Sequence, residues 1–296
     1  MKTSDLAIPF SGSFFQSYLV DHFLYKQESL LCFLRYYDEL KAKLQEGISE
    51  INDEQYLQTL KVEIRGTYFQ AIETLFELIF SLEPREGIID NRNIWFFLST
   101  SKWHDNYDRI QSIANGDLAF LDRPINANPN LSIPFIQYVF FFAVTNEANL
   151  KVVQDSFEPI RKLLRAFASE FTDRDEYNAI KHSVRLIHLM KDLVVAQRGS
   201  DETLIKRDFK DSMSYIKQEA DGSLSAYTKP LDTVRDFKMT TVCSNLISNI
   251  FRSRRYHFTK DDSIVIHTLT DESFTDATKR NVDWTYFKMN FKPSKE

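Results

Sequence analysis

The sequence predicts a mainly α fold: a helical bundle with a small β hairpin or sheet towards the C-terminus. Three observations carry that expectation. The 296 residues include only 7 Gly and 8 Pro, and so few breakers favour long helices over a many-turned β fold. Apolar residues recur at steps of three and four in several stretches, the period of one face of a helix. Past Gly199 this period gives way to two runs of strand character around Ala220-Asp221-Gly222, the pattern of a hairpin.

In chain order, a first helix is expected from about Phe14 to Gln45, with Leu19, Phe23, Leu30, Leu34, Tyr37 and Leu44 at helical spacing and Gly47 as its stop. The second runs from a cap at Asn52 or Asp53 to Pro84, and its two apolar stripes place it centrally in a bundle. Asn93 to Ser99 and Asn106 to Ala114 read as short helices, and Asn115 to Asp117 and Pro124 to Pro134 as loops. Ser132 with Pro134 starts a helix to about Thr145, and Asn146 starts another to about Phe171 with a kink at Pro159. Asp175 to Gln197 has a helical pattern. Met213 to Gln218 and Ser223 to Thr228 form the hairpin, and Pro230 or Asp232 opens a last long helix to about Arg255. Ser263 to Thr268 and Asp283 to Phe291 read as closing strands. With no repeat and no long linker, the expectation is one domain over 1–296, its residues 200–296 an α+β extension.

Composition excludes several classes. The chain is 43% hydrophobic, with 25 Phe and 13 Tyr, so it can build a large core. A net charge of −5 disfavours broad coating of nucleic acid, although a local cationic site stays open. Cys32 and Cys243 form no CxxC and imply neither a disulfide framework nor a thiolate metal site. The opening MKTSDLAIPF lacks the apolar region of a signal peptide, and the longest apolar run, Ile133 to Val144, is too short to span a bilayer. A cytoplasmic location follows as the expectation, with no membrane, metal or cofactor. No histidine lies in HExxH, and there is no P-loop, GxGxxG or GxSxG.

The residues of chemical interest gather in Asp175 to Arg185. At 100° per residue, Asn178, His182 and Arg185 share one arc, with Lys181 at its edge, while Tyr177, Ile180 and Val184 point elsewhere. A neutral imidazole can take a proton from a hydroxyl, and a neighbouring cation can steady phosphate. Cleavage of RNA by its own 2′-hydroxyl needs little more. The same stripe is equally an ordinary solvated helix face. Arg65, Tyr68 and Glu73, polar groups of the second helix, are candidates for holding a substrate or for orienting His182; a buried ion pair fixing the register of the bundle accounts for them as well. The run Arg252 to His257 combines cations and an aromatic that suit RNA, but cations also belong at a helix C-terminus.

The string Tyr177-Asn178-Ala179-Ile180-Lys181-His182 resembles the Asn-x-x-x-His core of HEPN domains. These are compact helical bundles of bacterial toxin–antitoxin, phage-defence and nucleotide-related proteins, many of them metal-independent ribonucleases. Asn178 and His182 match the family pattern, whereas Tyr177 stands where the family has its arginine and the nearest upstream arginine is Arg174. The resemblance implies a HEPN-like protein of a conflict or stress system, directed at RNA or a nucleotide; a homodimer is open to either reading, with paired copies of the stripe facing a shared cleft in an enzyme and an aromatic face between the copies in a module. His182 would be its general base, Asn178 part of the motif, and Lys181 or Arg185 its phosphate clamp. The residues themselves leave a second reading open, a non-catalytic helical module that binds a partner protein or a small anion.

Overall fold

A computed structural model describes residues 12–47, 50–84, 94–128, 131–182, 185–187, 192–196, 203–259 and 263–291. It is mainly α with a small antiparallel sheet near the C-terminus. The helices are α1 (His22–Arg35), α2 (Tyr37–Gln45), α3 (Asp53–Ser81), α4 (Ile94–Thr100), α5 (Trp103–Ala114), α6 (Phe135–Phe140), α7 (Glu147–Asp155), α8 (Phe157–Phe171), α9 (Arg174–Lys181), α10 (Thr233–Thr259) and α11 (Asp271–Thr278). The strands are β1 (Pro124–Asn128), β2 (Leu131–Pro134), β3 (Leu186–Ile187), β4 (Asp192–Ala196), β5 (Thr203–Asp208), β6 (Ser212–Gln218), β7 (Leu224–Pro230) and β8 (Phe287–Phe291). No helix among the described residues is long and apolar enough to cross a membrane.

Strongly periodic segments form where the sequence places them. Asn52 caps α3, its Oδ1 accepting the Gln55 amide, and Asp232 caps α10 by accepting from the Arg235 amide. Asn146 does the same for α7 through the Ala148 amide. The long segment from Asn146 to Phe171 breaks at Ser156 and leaves Pro159 in the first turn of α8, where its missing N–H costs nothing.

Elsewhere the structure departs from expectation. The first helix is divided: residues 12–17 are helical, and α1 and α2 meet at Tyr36, whose φ of −107° and ψ of 24° leave the α region. Pro124 to Pro134 is a hairpin rather than a loop, with Pro124 opposite Pro134 at its open end, a place where proline removes little from a ladder. The following helix starts at Phe135, not Ser132, and stops at Phe140. The pattern from Asp175 is helical only to Lys181; beyond it β3 and the β4–β5 hairpin replace the expected helix. Ser263 to Thr268 joins no described ladder. Instead the Asn249 side chain exchanges two hydrogen bonds with the His267 backbone, standing in for a partner strand.

The chain divides into two compact units, one comprising Met1–Lys26, Tyr68–Thr172 and Lys238–Lys279, the other Gln27–Thr67, Asp173–Phe237 and Arg280–Glu296. In the first, the second half of α3 and the apolar face of α8 share a core in which Tyr68 and Phe69 meet Phe167 and Phe171, ring centroids 6.1 and 6.3 Å apart. Tyr18 stacks flat on Phe251 of α10 at 4.0 Å. In the second, α9 lies against one face of a sheet ordered β3-β6-β7-β8. Helix α3 touches α9 there at Gly66, where an added Cβ would stand 2.9 Å from the Ile180 Cγ2. That crossing favours glycine because an added Cβ would press on the Ile180 methyl, and one of the two would have to shift.

Candidate functional site

Within the second unit, helix α9 carries charge on two sides, and the two sides do different things. Its inner side begins with Asp173 and Glu176. Glu176 is 1% exposed, a buried carboxylate that requires partners. Arg65 of α3 supplies one: its Nε donates to Glu176 Oε1 at 2.9 Å and its Nη1 to Asp236 Oδ1 of α10 at 2.7 Å. Lys229 of β7 supplies another, donating to Glu176 Oε2 at 2.5 Å and also to Asp173 Oδ2. Tyr215 of β6 donates its phenol to Asp173 at 3.1 Å, and Arg235 approaches Asp236 at 3.5 Å. A chain of alternating sign results: Asp173, Lys229, Glu176, Arg65, Asp236, Arg235. It ties α3, α9, α10 and the sheet together through groups that are buried or nearly so, apart from the half-buried Asp173.

The titration of these groups follows from their surroundings. Burial pushes the Asp173 carboxyl up, but Lys229, the hydrogen bonds from Lys229 and Tyr215, and Lys217 outweigh it and hold the group below the usual carboxylate range. Burial pulls the Lys229 ammonium down, and Glu176 and Asp173 more than reverse that, leaving it above the ordinary lysine value. The Tyr215 phenol is driven far up, first by burial and then by Glu176 and Asp173. The signs give a plateau. The depressed Asp173 contributes stability above its unfolded pKa of about 3.9, lost as pH falls through its lower folded value. The raised Lys229 contributes stability below about 10.4, lost as pH rises through its higher folded value. Urea midpoints should therefore hold steady through neutral pH and drop on the acid side below about pH 4. Asp173→Asn should flatten that acid drop; an unchanged acid limb in the variant would count against the assignment.

The outer side is the polar stripe. Helix α9 ends at Lys181, and His182 is its C-cap, with φ −105° and ψ 13°. The arc joining Asn178, His182 and Arg185 is thereby interrupted, because Arg185 sits in a turn beyond the helix. Asn178 is half-buried, and Lys181, His182 and Arg185 are exposed. Lys181 lies over the Tyr177 ring at 5.6 Å. Among the described residues, no carboxylate pairs with Lys181, His182 or Arg185. Lys181 and Arg185 form an exposed cationic rim, with the His182 imidazole beside them, at the negative end of the α9 dipole.

Of the second group of candidates, Arg65 belongs to the buried chain just described. Tyr68 and Glu73 fall in the other unit, Tyr68 fully buried against Phe167 and Glu73 half-buried. Sequence reasoning missed Glu176, Asp173, Lys229 and Asp236. One signal was present: Glu176 stands four residues before Ile180 and beside Tyr177, which puts a carboxylate on the apolar face of α9.

The basic run of α10 is also spent internally. Arg254 is 1% exposed and donates to the backbone oxygens of Tyr138 and Val139 at 3.1 and 2.9 Å. Arg255 donates to the backbone oxygens of Phe15 and Gln16, and Arg252 stands 3.8 Å from Asp21. The cations therefore serve the carbonyls and acids of other segments rather than the end of their own helix. Among the described residues, no group of three or more His, Cys, Asp or Glu is placed to hold a metal ion. Comparison with family models, with curated proteins and with solved structures finds no match.

Proposed function

We propose that this chain is a non-catalytic helical interaction module whose rim, the cations Lys181 and Arg185 with the imidazole of His182 beside them, receives an acidic surface of a partner protein. One observation carries the reading. The six charges beneath α9 are engaged with one another, while Lys181 and Arg185 on its rim, with the His182 imidazole beside them, are exposed and lack a carboxylate among the described residues. A general base needs a partner that orients its ring and a fixed place for the proton it takes; His182 at a helix end has no such partner among the described residues.

The test joins binding and turnover. A fluorescent oligo-glutamate peptide, followed by anisotropy at low salt, should bind wild type and lose roughly fivefold in affinity in Lys181→Ala/Arg185→Ala, in line with exposed ion pairs. Added salt should erase the difference. Single-stranded RNA should be left intact by wild type and by His182→Ala alike. Cleavage that disappears in His182→Ala would overturn the module and favour the HEPN-like ribonuclease, with His182 as base.

A further inference from the structure

The sheet of the second unit ends, among the described residues, on a strand with one unpaired side. In the order β3-β6-β7-β8, strand β8 is last, and no described strand pairs with its outer edge. An uncovered edge is a template for another strand, and proteins usually blunt it with charge, proline or a bulge. Within Phe287–Phe291 there is no proline and no bulge in the pairing with β7. Its one charge, Lys288, is already held by Glu219 at 2.8 Å.

The pairing register sorts the side chains. Tyr215, Tyr227 and Lys288 lie on one face, with Lys229, towards α9. Ile216, Ala226 and Met289 lie on the other, beside Leu224 and Phe291. Ser214, Ala226 and Thr228 of that face are buried, but its end around Ile216, Leu224 and Phe291 is apolar and half uncovered, these three being 48%, 46% and 44% exposed. An apolar face that runs to a free edge is incomplete as it stands.

The sequence of β8 says which strand completes it. Phe287-Lys288-Met289-Asn290-Phe291 reads nearly the same in both directions. Laid antiparallel on itself about Met289, each Phe287 faces a Phe291, each Lys288 faces an Asn290, and Met289 faces its own copy. All five residues pair, the three apolar ones stay on the apolar face, and no like charges oppose one another, which directly opposite positions would penalise. We propose that β8 is the contact strand of a homodimer in which two copies join their sheets edge to edge across a twofold axis at Met289. A self-complementary patch is what such an axis requires, and main-chain hydrogen bonds along the edge supply the attachment. The inference is independent of how the α9 rim is used.

The experiment follows from Met289 facing itself. Wild type, measured by sedimentation or light scattering from low to high micromolar concentration, should reach dimer mass. Met289→Lys and Met289→Glu each set like charges across the axis and should be monomeric when alone, while folded by circular dichroism. Mixed in equal amounts, the two should recover dimer mass, because opposite charges then meet. A wild type that stays monomeric, variants that dimerise as well as wild type, or folded variants that fail to pair on mixing would each overturn the proposal. Should the charged variants fail to fold, Met289→Cys in a Cys32→Ser background decides. Directly opposed Cα atoms lie about 4.5–5.5 Å apart, within disulfide reach, so oxidation should give a covalent dimer, and a monomer would overturn the proposal.

Discussion

Glu176→Ala is expected to destabilise the fold by about 3–5 kcal/mol, the range for breaking a buried ion pair from one side. The carboxylate accepts from both Arg65 and Lys229 while being 1% exposed. Its removal leaves two cations facing a small cavity. Arg65 keeps Asp236 and Lys229 keeps Asp173, which sets the upper bound on the loss. Against a total stability of about 5–15 kcal/mol, such a loss brings the protein close to unfolding. Glu176→Gln should cost less, because the amide preserves shape and one acceptor while leaving the charges uncompensated. The informative variant is the pair Arg65→Met/Glu176→Leu. If the chain of charges is a structural tie, the double change should cost clearly less than the sum of the two single changes, since no lone charge is left between them. Urea denaturation of the four proteins measures this. Additive losses would show that Arg65 and Glu176 do not act on each other.

That chain also shows how far the sequence could be read. Arg65 stands out as a polar residue in an apolar helix, and α3 itself is legible because its periodicity runs for seven turns or so. Its partners are not legible: Glu176 and Asp236 lie 111 and 171 residues away, and nothing local to Arg65 selects them. The loss of helix after Lys181 has a related cause. Leu186-Ile187 and Leu193-Val194-Val195 are short apolar runs that fit a helical or an extended period equally, and their state is decided by β6 and β5, which pair with them from further along the chain. The hairpin β6–β7 was legible because its turn is local: Gly222, at φ 82°, takes a conformation that other residues adopt rarely. As for the site, residue types on α9 show which groups are capable of chemistry. Their exposure depends on where the helix stops, and that is a tertiary outcome.

Arg254 presents the opposite case to Glu176, a buried cation with no carboxylate partner among the described residues. Its guanidinium forks onto the backbone oxygens of Tyr138 and Val139, two of the last carbonyls of α6, which a helix end leaves without partners. Phe15, Tyr138 and Phe142 surround it at 5.1–5.9 Å, so ring faces and a helix dipole take the place of a counter-ion. Burial lowers its pKa, and Tyr138 recovers only part of that. Two replacements separate the contributions. Arg254→Met removes the charge together with its desolvation cost and leaves two carbonyls unpaired, for a loss of about 2–3 kcal/mol. Arg254→Lys keeps a charge in the same dry place but replaces a planar fork by a single point donor that is harder to strip of water. The lysine variant should therefore be the worse of the two, at about 3–5 kcal/mol. If charge alone mattered, lysine would be the conservative change and methionine the damaging one. Urea midpoints of the two variants give the order directly, and a lysine variant within about 1 kcal/mol of wild type would refute the role of the fork.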